Sequence, residues 1–153
     1  MASADPPIVV PASRLPLFYR RPEPLESSRD TGLGLKAAID FGFARDTNSV
    51  PLAAPEFDAA SASFPIVFAK GERIFPAAVL GLRGNRNAFV DAAGRWQPGA
   101  YVPGYVRRYP FIFAAAANNQ LTLCVDRASD LLLQDGGRPL FSDGKPTELT
   151  ESA

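Results

Sequence analysis

Apolar residues at Leu35, Ala37, Ile39, Phe41 and Phe43 alternate with other positions, and that two-residue period predicts a half-buried strand. Phe64–Lys70 reads as a second strand, Lys70-Gly71-Glu72-Arg73 as its turn, and Ile74–Arg83 as the return strand. Pro76 falls near the start of that return strand, and Gly81 marks an expected bulge. Gly84-Asn85 has glycine first, the preference of a II′ hairpin turn. Arg86–Asp91, a turn over Asp91-Ala92-Ala93-Gly94, and Arg95–Gln97 continue the antiparallel pattern. Phe111–Ala116 and Leu121–Val125 form a further expected hairpin around Asn118-Asn119. Several of these segments are apolar on both faces, so something must cover each side of the sheet.

Helical signals are short. Pro55-Glu56-Phe57 opens a predicted helix to about Ser61, with proline in the first turn and acids near the positive end of the dipole. Val102, Tyr105, Val106 and Tyr109 recur at helical spacing between Pro103 and Pro110, predicting two turns that leave Arg107 and Arg108 near the C-terminal end. Asp126–Leu133 reads as a helix with Asp126 as its N-cap. Residues 1–34, rich in Pro, Ser and charge, predict an extended arm. Residues 35–133 predict the core domain, and 134–153, with DGG and SDGK turns, a polar segment that frays. The fold class expected is β-rich α+β: an antiparallel meander sheet, a few short helices and an extended N-terminal arm.

Composition sharpens this picture. Fifteen prolines and 12 glycines among 153 residues favour many short elements, and 46% hydrophobic content suffices for a core. Net charge is zero, yet from Lys70 to Arg108 seven basic residues face only Glu72 and Asp91. A basic middle between acidic ends suits an anion, or it neutralises the chain's own termini. There is no histidine, which excludes Ser-His-Asp and Cys-His catalysis and, with one cysteine, the common zinc sets. Cys124 lies in the apolar run Leu121–Val125, where a thiol is normally inert, so neither metal nor cofactor is expected. The start, MASADPPIVVPAS, lacks the basic and apolar regions of a Sec signal, and no apolar run is long enough to span a bilayer. A soluble, cytoplasmic protein is the expectation.

Candidate chemistry concentrates between Gly94 and Phe113. Trp96, Tyr101 and Tyr105 beside Arg107 and Arg108, with Arg83, Arg86 and Arg95 from adjacent turns, form a candidate ligand surface. Aromatic faces stack on sugars, peptides or rings, and guanidinium forks hold carboxylates or phosphates. The competing reading makes Trp96 and the tyrosines core and the arginines a solvated rim. The loop Arg45-Asp46-Thr47-Asn48-Ser49 is a second candidate, with Arg45, Asp46 and Asn48 as its ligands; the same residue types also stabilise turns by bonding their own backbone.

The segments ARDTNSVPLA (44–53), FPIVFAK (64–70), AVLGLRGNRNAFVDAAGRW (78–96), YVPGYVRRYPF (101–111) and the ending PLFSDGKPTEL resemble the bacterial SapC family over roughly 40–150. That family is named for association with a bacterial surface layer and is distinct from the membrane permease that shares its name. The resemblance implies a surface or nutrient-uptake context, since members occur beside outer-membrane receptors and flavin-dependent halogenase-like proteins. It also implies a C-terminal portion of the family pattern beyond residue 153. It brings no catalytic residues with it. Localisation then has two readings: the missing signal and lone thiol point to the cytoplasm, the family name to the cell surface by a route other than Sec.

The function expected is a non-catalytic accessory or ligand-binding module whose partner is a protein or a small ligand. The alternative is a histidine-independent enzyme in which Asp46 or Asp91 acts as base and an arginine stabilises negative charge, on a small anionic or ring-containing substrate. Asp91 opens a turn and Asp126 precedes a predicted helix, so both have structural explanations, and no phosphate loop or dinucleotide fingerprint is present. A pI near 6.3 argues against nucleic acid as partner.

Overall fold

The computed structural model describes residues 15–70, 73–115 and 120–153. Residues 1–14 of the expected arm, Gly71-Glu72 in the expected 70–73 turn and Asn118-Asn119 lie outside the described residues. In chain order the strands are β1 (Pro22–Pro24), β2 (Leu33–Leu35), β3 (Ser49–Pro51), β4 (Ile66–Lys70) and β5 (Ile74–Val79). They continue with β6 (Phe111–Ala115), β7 (Leu121–Asp126), β8 (Leu132–Gln134), β9 (Arg138–Pro139), β10 (Phe141–Ser142) and β11 (Lys145–Pro146). The α-helices are α1 (Phe57–Ser61), α2 (Gly104–Arg107) and α3 (Glu148–Glu151). The protein is β-rich α+β, with antiparallel pairing throughout and only short helices, as the hydrophobic pattern predicts. Two compact units result: one from the residues up to Ala37 with Pro110–Ala153, the other from Ala38–Tyr109.

The first unit holds two three-stranded sheets, β1-β7-β6 and β8-β2-β9, and the hairpin β10-β11. β6 pairs with β7 from Phe111↔Val125 to Ala115↔Leu121, the hairpin that the two apolar runs predict. β1 joins the other edge of β7, placing Pro22 opposite Asp126. Within the N-terminal region, then, residues 22–24 and 33–35 are extended and also hydrogen-bonded into sheets.

Asp126 differs from its expected role. It ends a strand and caps no helix, and residues 127–131 turn into β8. Its carboxylate, fully buried, accepts the backbone N–H of Arg21 at 2.7 Å, of Arg20 at 3.1 Å and of Ala128 at 3.2 Å. Two of these donors are tertiary and the third, the Ala128 N–H, closes a local turn, so the oxygens are taken without a helix. Beside it, Asp30 accepts Arg127 Nη2 at 2.8 Å and the Glu26 N–H at 2.9 Å, and Arg127 Nη2 also donates to Pro24 O at 3.2 Å. Burial pushes the Asp30 carboxyl up, but the Arg127 and Glu26 hydrogen bonds and the guanidinium charge outweigh it and hold the group low. The C-terminal segment does not fray as expected: buried Thr150 donates Oγ1 to Leu140 O at 2.7 Å, and Thr147 donates Oγ1 to Pro139 O at 2.8 Å.

In the second unit the sheet order is β3-β5-β4, with Ile66↔Ala78 to Lys70↔Ile74 forming the central hairpin. The alternation from Leu35 to Phe43 does not make one strand. Asp40 Oδ1 accepts the Gly42 N–H at 2.7 Å, an Asx turn that bends the chain, and Gly42–Ala44 forms a 3-10 turn. The bend carries Phe41 to 5.5 Å from the Trp96 ring and Phe43 to a 4.2 Å stack on Tyr109. The expected helix after Pro55 is present as a 3-10 turn, Ala54–Glu56, leading into α1. The helix after Pro103 is a single turn, α2, with Pro103 at its N-cap and Val106 buried. The return strand ends at Val79, short of Arg83, because the Asn48 carbonyl takes the N–H of Leu80 at 2.7 Å and of Gly81 at 3.1 Å.

Asp126→Ala would leave three backbone N–H groups without their carboxylate acceptor, a loss of about 3 kcal/mol. Asp126→Asn keeps an acceptor oxygen and should lose about 1 kcal/mol. Urea unfolding of the three proteins at equal m-value checks the ranking.

Candidate functional site

Two loops of the second unit approach each other because their backbones are cross-bonded. Besides the Asn48 carbonyl contacts, the Asn87 N–H donates to Arg45 O at 2.8 Å, and buried Asn87 donates Nδ2 to Ala44 O at 3.2 Å. Residues 81–87 are therefore pinned to the 44–48 loop and not to each other. Gly81 is needed there, since a Cβ would stand 2.0 Å from Arg86 O. The Gly84-Asn85 turn differs from the expected II′ form: Asn85, not Gly84, carries the positive φ, at 56°.

Between these loops opens a cleft of about 600 Å³, lined by Arg45, Asp46, Asn85–Asn87, Ala88 and Val90–Ala92. Its far wall is the turn predicted at 91–94, closed by Gly94 N–H to Asp91 O at 3.0 Å, with Gly94 at φ +76° where a side chain would strain the backbone. Asp91 is spent on that turn. Its carboxylate accepts Ala93 N–H at 2.8 Å, Arg95 N–H at 2.9 Å and Arg95 Nε at 2.9 Å. The Arg95 backbone bond is the main reason its carboxyl lies below the usual range; slight desolvation opposes it, and the Arg95 side chain and the Ala93 bond add to it. Arg45 reaches across and donates Nη2 to Ala92 O at 3.1 Å.

The residues singled out in the sequence thus separate into several places. Arg45, Asp46 and Arg86 line the cleft. Asn48 holds the loop through its carbonyl, and Arg95 pairs with Asp91. Arg83 is exposed and outside the lining. Trp96, only 9% exposed, lies among Phe41, Phe64 and Phe89, stacked on Phe89 at 6.0 Å, and donates Nε1 to Tyr101 O at 3.1 Å. Of the remaining four residues, Tyr101 and Arg107 assemble around Glu56, and Tyr105 and Arg108 form a separate pair. Glu56 Oε1 accepts Tyr101 Oη at 2.9 Å and Gly104 N–H at 2.6 Å, and Oε2 accepts Ala53 N–H at 2.9 Å. Arg107 donates Nη2 to Tyr101 Oη at 3.1 Å and lies over its ring, while Arg108 covers the Tyr105 ring at 4.1 Å.

Glu56 and Asn85 carry no chemical motif in the sequence. The nearest sequence signal for the cleft is the density of Asn, Asp and Arg in the two segments RDTN and RGNRN. Among the described residues no group of three or more His, Cys, Asp or Glu could hold a metal ion, and no helix is long and apolar enough to cross a membrane.

This arrangement defines a class: a β-rich α+β protein with a polar, loop-walled cleft. A family model described as SapC matches residues 25–153, and the chain belongs to the SapC family. Neither a curated protein nor a solved structure matches it.

Glu56 supplies a pH test. Burial pushes its carboxyl up, but the Ala53, Gly104 and Tyr101 hydrogen bonds and the Arg107 charge outweigh it and hold the group below its ordinary value. A depressed folded-state value means the stabilisation is complete above the ordinary glutamate range and is lost as pH falls through the folded value. Glu56→Gln should cost about 2 kcal/mol at neutral pH, with the gap to the wild type closing in acid. Urea midpoints across that pH range give the comparison.

Proposed function

We propose that this chain is a non-catalytic binding module, an accessory protein of the SapC type, whose ligand occupies the cleft between the 45–48 and 85–92 loops. The observation that carries the reading is a cleft of about 600 Å³ walled by polar side chains on loops whose backbones are held in place. Ligand sites commonly span about 300–1,000 Å³ and rely on a few oriented polar groups. Preorganised loops lower the ordering cost of binding. A surface-layer or nutrient-uptake setting rests on the family membership alone.

The enzymatic alternative has less support. Asp91, one of its two candidate bases, is saturated by hydrogen bonds and held ionised and low. That leaves Asp46, which forms no ion pair with any described residue.

A thermal-shift screen of sugars, amino acids, ring compounds, nucleotides and simple anions tests the reading. A ligand at a hundredfold excess over Kd stabilises the folded state by about 2.7 kcal/mol. At least one class should raise Tm; Arg86→Ala should abolish that rise while Arg83→Ala, outside the cleft, preserves it. No shift from any class with a cooperatively unfolding protein overturns the proposal.

A further inference from the structure

The charges that line the cleft divide into spent and unspent. Asp91 is consumed by Arg95 and the 91–94 turn, and Arg45 by the carbonyls of Asp91 and Ala92. Arg86 and Asp46 are different. Both are exposed and line the same cleft, and neither is bonded or ion-paired to any described residue, including the other. One cation and one anion therefore remain in the cleft with no partner among the described residues, while Arg45 keeps its charge with Nη2 turned to the Asp91 and Ala92 carbonyls.

The rest of the lining narrows the ligand. Among the described lining residues none is aromatic, so a sugar or planar ring finds no stacking face there. The apolar surface is limited to Ala88, Val90 and Ala92. A multiply charged anion such as a phosphate would meet Arg86 and Arg45 but also the repulsion of Asp46 and Asp91, and a simple cation the reverse. A dipolar molecule satisfies both ends.

We infer that the cleft recognises a zwitterionic α-amino acid, its carboxylate on the Arg86 guanidinium and its ammonium on the Asp46 carboxylate. The Asn85 amide supplies a neighbouring donor and acceptor, and the small apolar patch receives the side chain. Guanidinium–carboxylate forks and ammonium–carboxylate pairs are charge-assisted and directional, so opposed ends of a ligand are read together. The inference rests on the cleft being the binding site proposed above.

The test compares L-leucine with its two truncations, isocaproate, which lacks the ammonium, and isoamylamine, which lacks the carboxylate. Titration is followed by amide NMR shifts of the full chain, which reports weak binding and locates it. L-Leucine should bind at least about tenfold tighter than either truncation, and Arg86→Ala and Asp46→Asn should each weaken it about tenfold, the size of one charge-assisted contact. Both side chains lack partners among the described residues, so both variants should keep the wild-type Tm.

Isocaproate binding as tightly as L-leucine, or binding indifferent to Asp46→Asn, overturns the zwitterion inference and leaves the cleft as a carboxylate site. Isoamylamine matching L-leucine overturns it in the opposite sense. If none of the three perturbs the residues of the cleft, the inference fails. The wider thermal-shift screen then decides separately whether the cleft binds another class or the binding reading fails as well.

Discussion

Burial of the Trp96 ring is the constraint on which the second unit depends. Its sheet has strands of three to six residues, too short to enclose a core by backbone pairing alone. Closure falls to side chains: Trp96 gathers Phe41, Phe64 and Phe89 around one ring and fixes Tyr101 O through its indole N–H. Aromatic pairs at these separations add directional energy to a large buried area. Because Phe41 comes from the bend before the 44–48 loop and Phe89 lies between the cleft-lining Ala88 and Val90 with its ring on Trp96, the same cluster sets how the two loops face each other.

Carboxylates serve this protein mainly as staples for backbone N–H groups. Asp126 ties β7 to the residues before β1, Asp30 binds Arg127 and Glu26, Asp91 closes its own turn, and Glu56 joins the first turn of α2 to the residues before α1. Each takes a donor that a short element would leave unsatisfied, and at the buried Asp126 an unpaired N–H would cost more than the bond returns. A chain dense in proline and glycine makes many such ends. The habit gives Asp46 its significance: it lines a cleft and is stapled to nothing among the described residues.

Much of the architecture was legible where local chemistry and tertiary contacts agree. The β4-β5 and β6-β7 hairpins, the turn at Asp91–Gly94 and the helices after Pro55 and Pro103 lie where periodicity, prolines and turn residues put them. Two of the misread elements show what outranks a local pattern. Between Leu35 and Phe43 the alternation is real, but Asp40 bends the backbone and the phenylalanines go to an aromatic cluster. At Asp126 the helix signal is overridden by N–H groups more than 100 residues away in sequence.

By itself the sequence determined the β-rich class, the absence of histidine chemistry, the family resemblance and the two polar loops, because these follow from residue type and spacing within a short window. Only the tertiary structure decided which arginines remain unspent. Arg45, Arg86, Arg95, Arg107 and Arg108 are chemically the same side chain, and each role depends on what long-range packing brings within hydrogen-bond reach: a carbonyl for Arg45, a carboxylate for Arg95, a tyrosine for Arg107 and for Arg108, and open cleft for Arg86. Hydrogen bonds and ion pairs act over a few ångströms, and nothing in a residue's immediate neighbours along the chain records which distant group will arrive there.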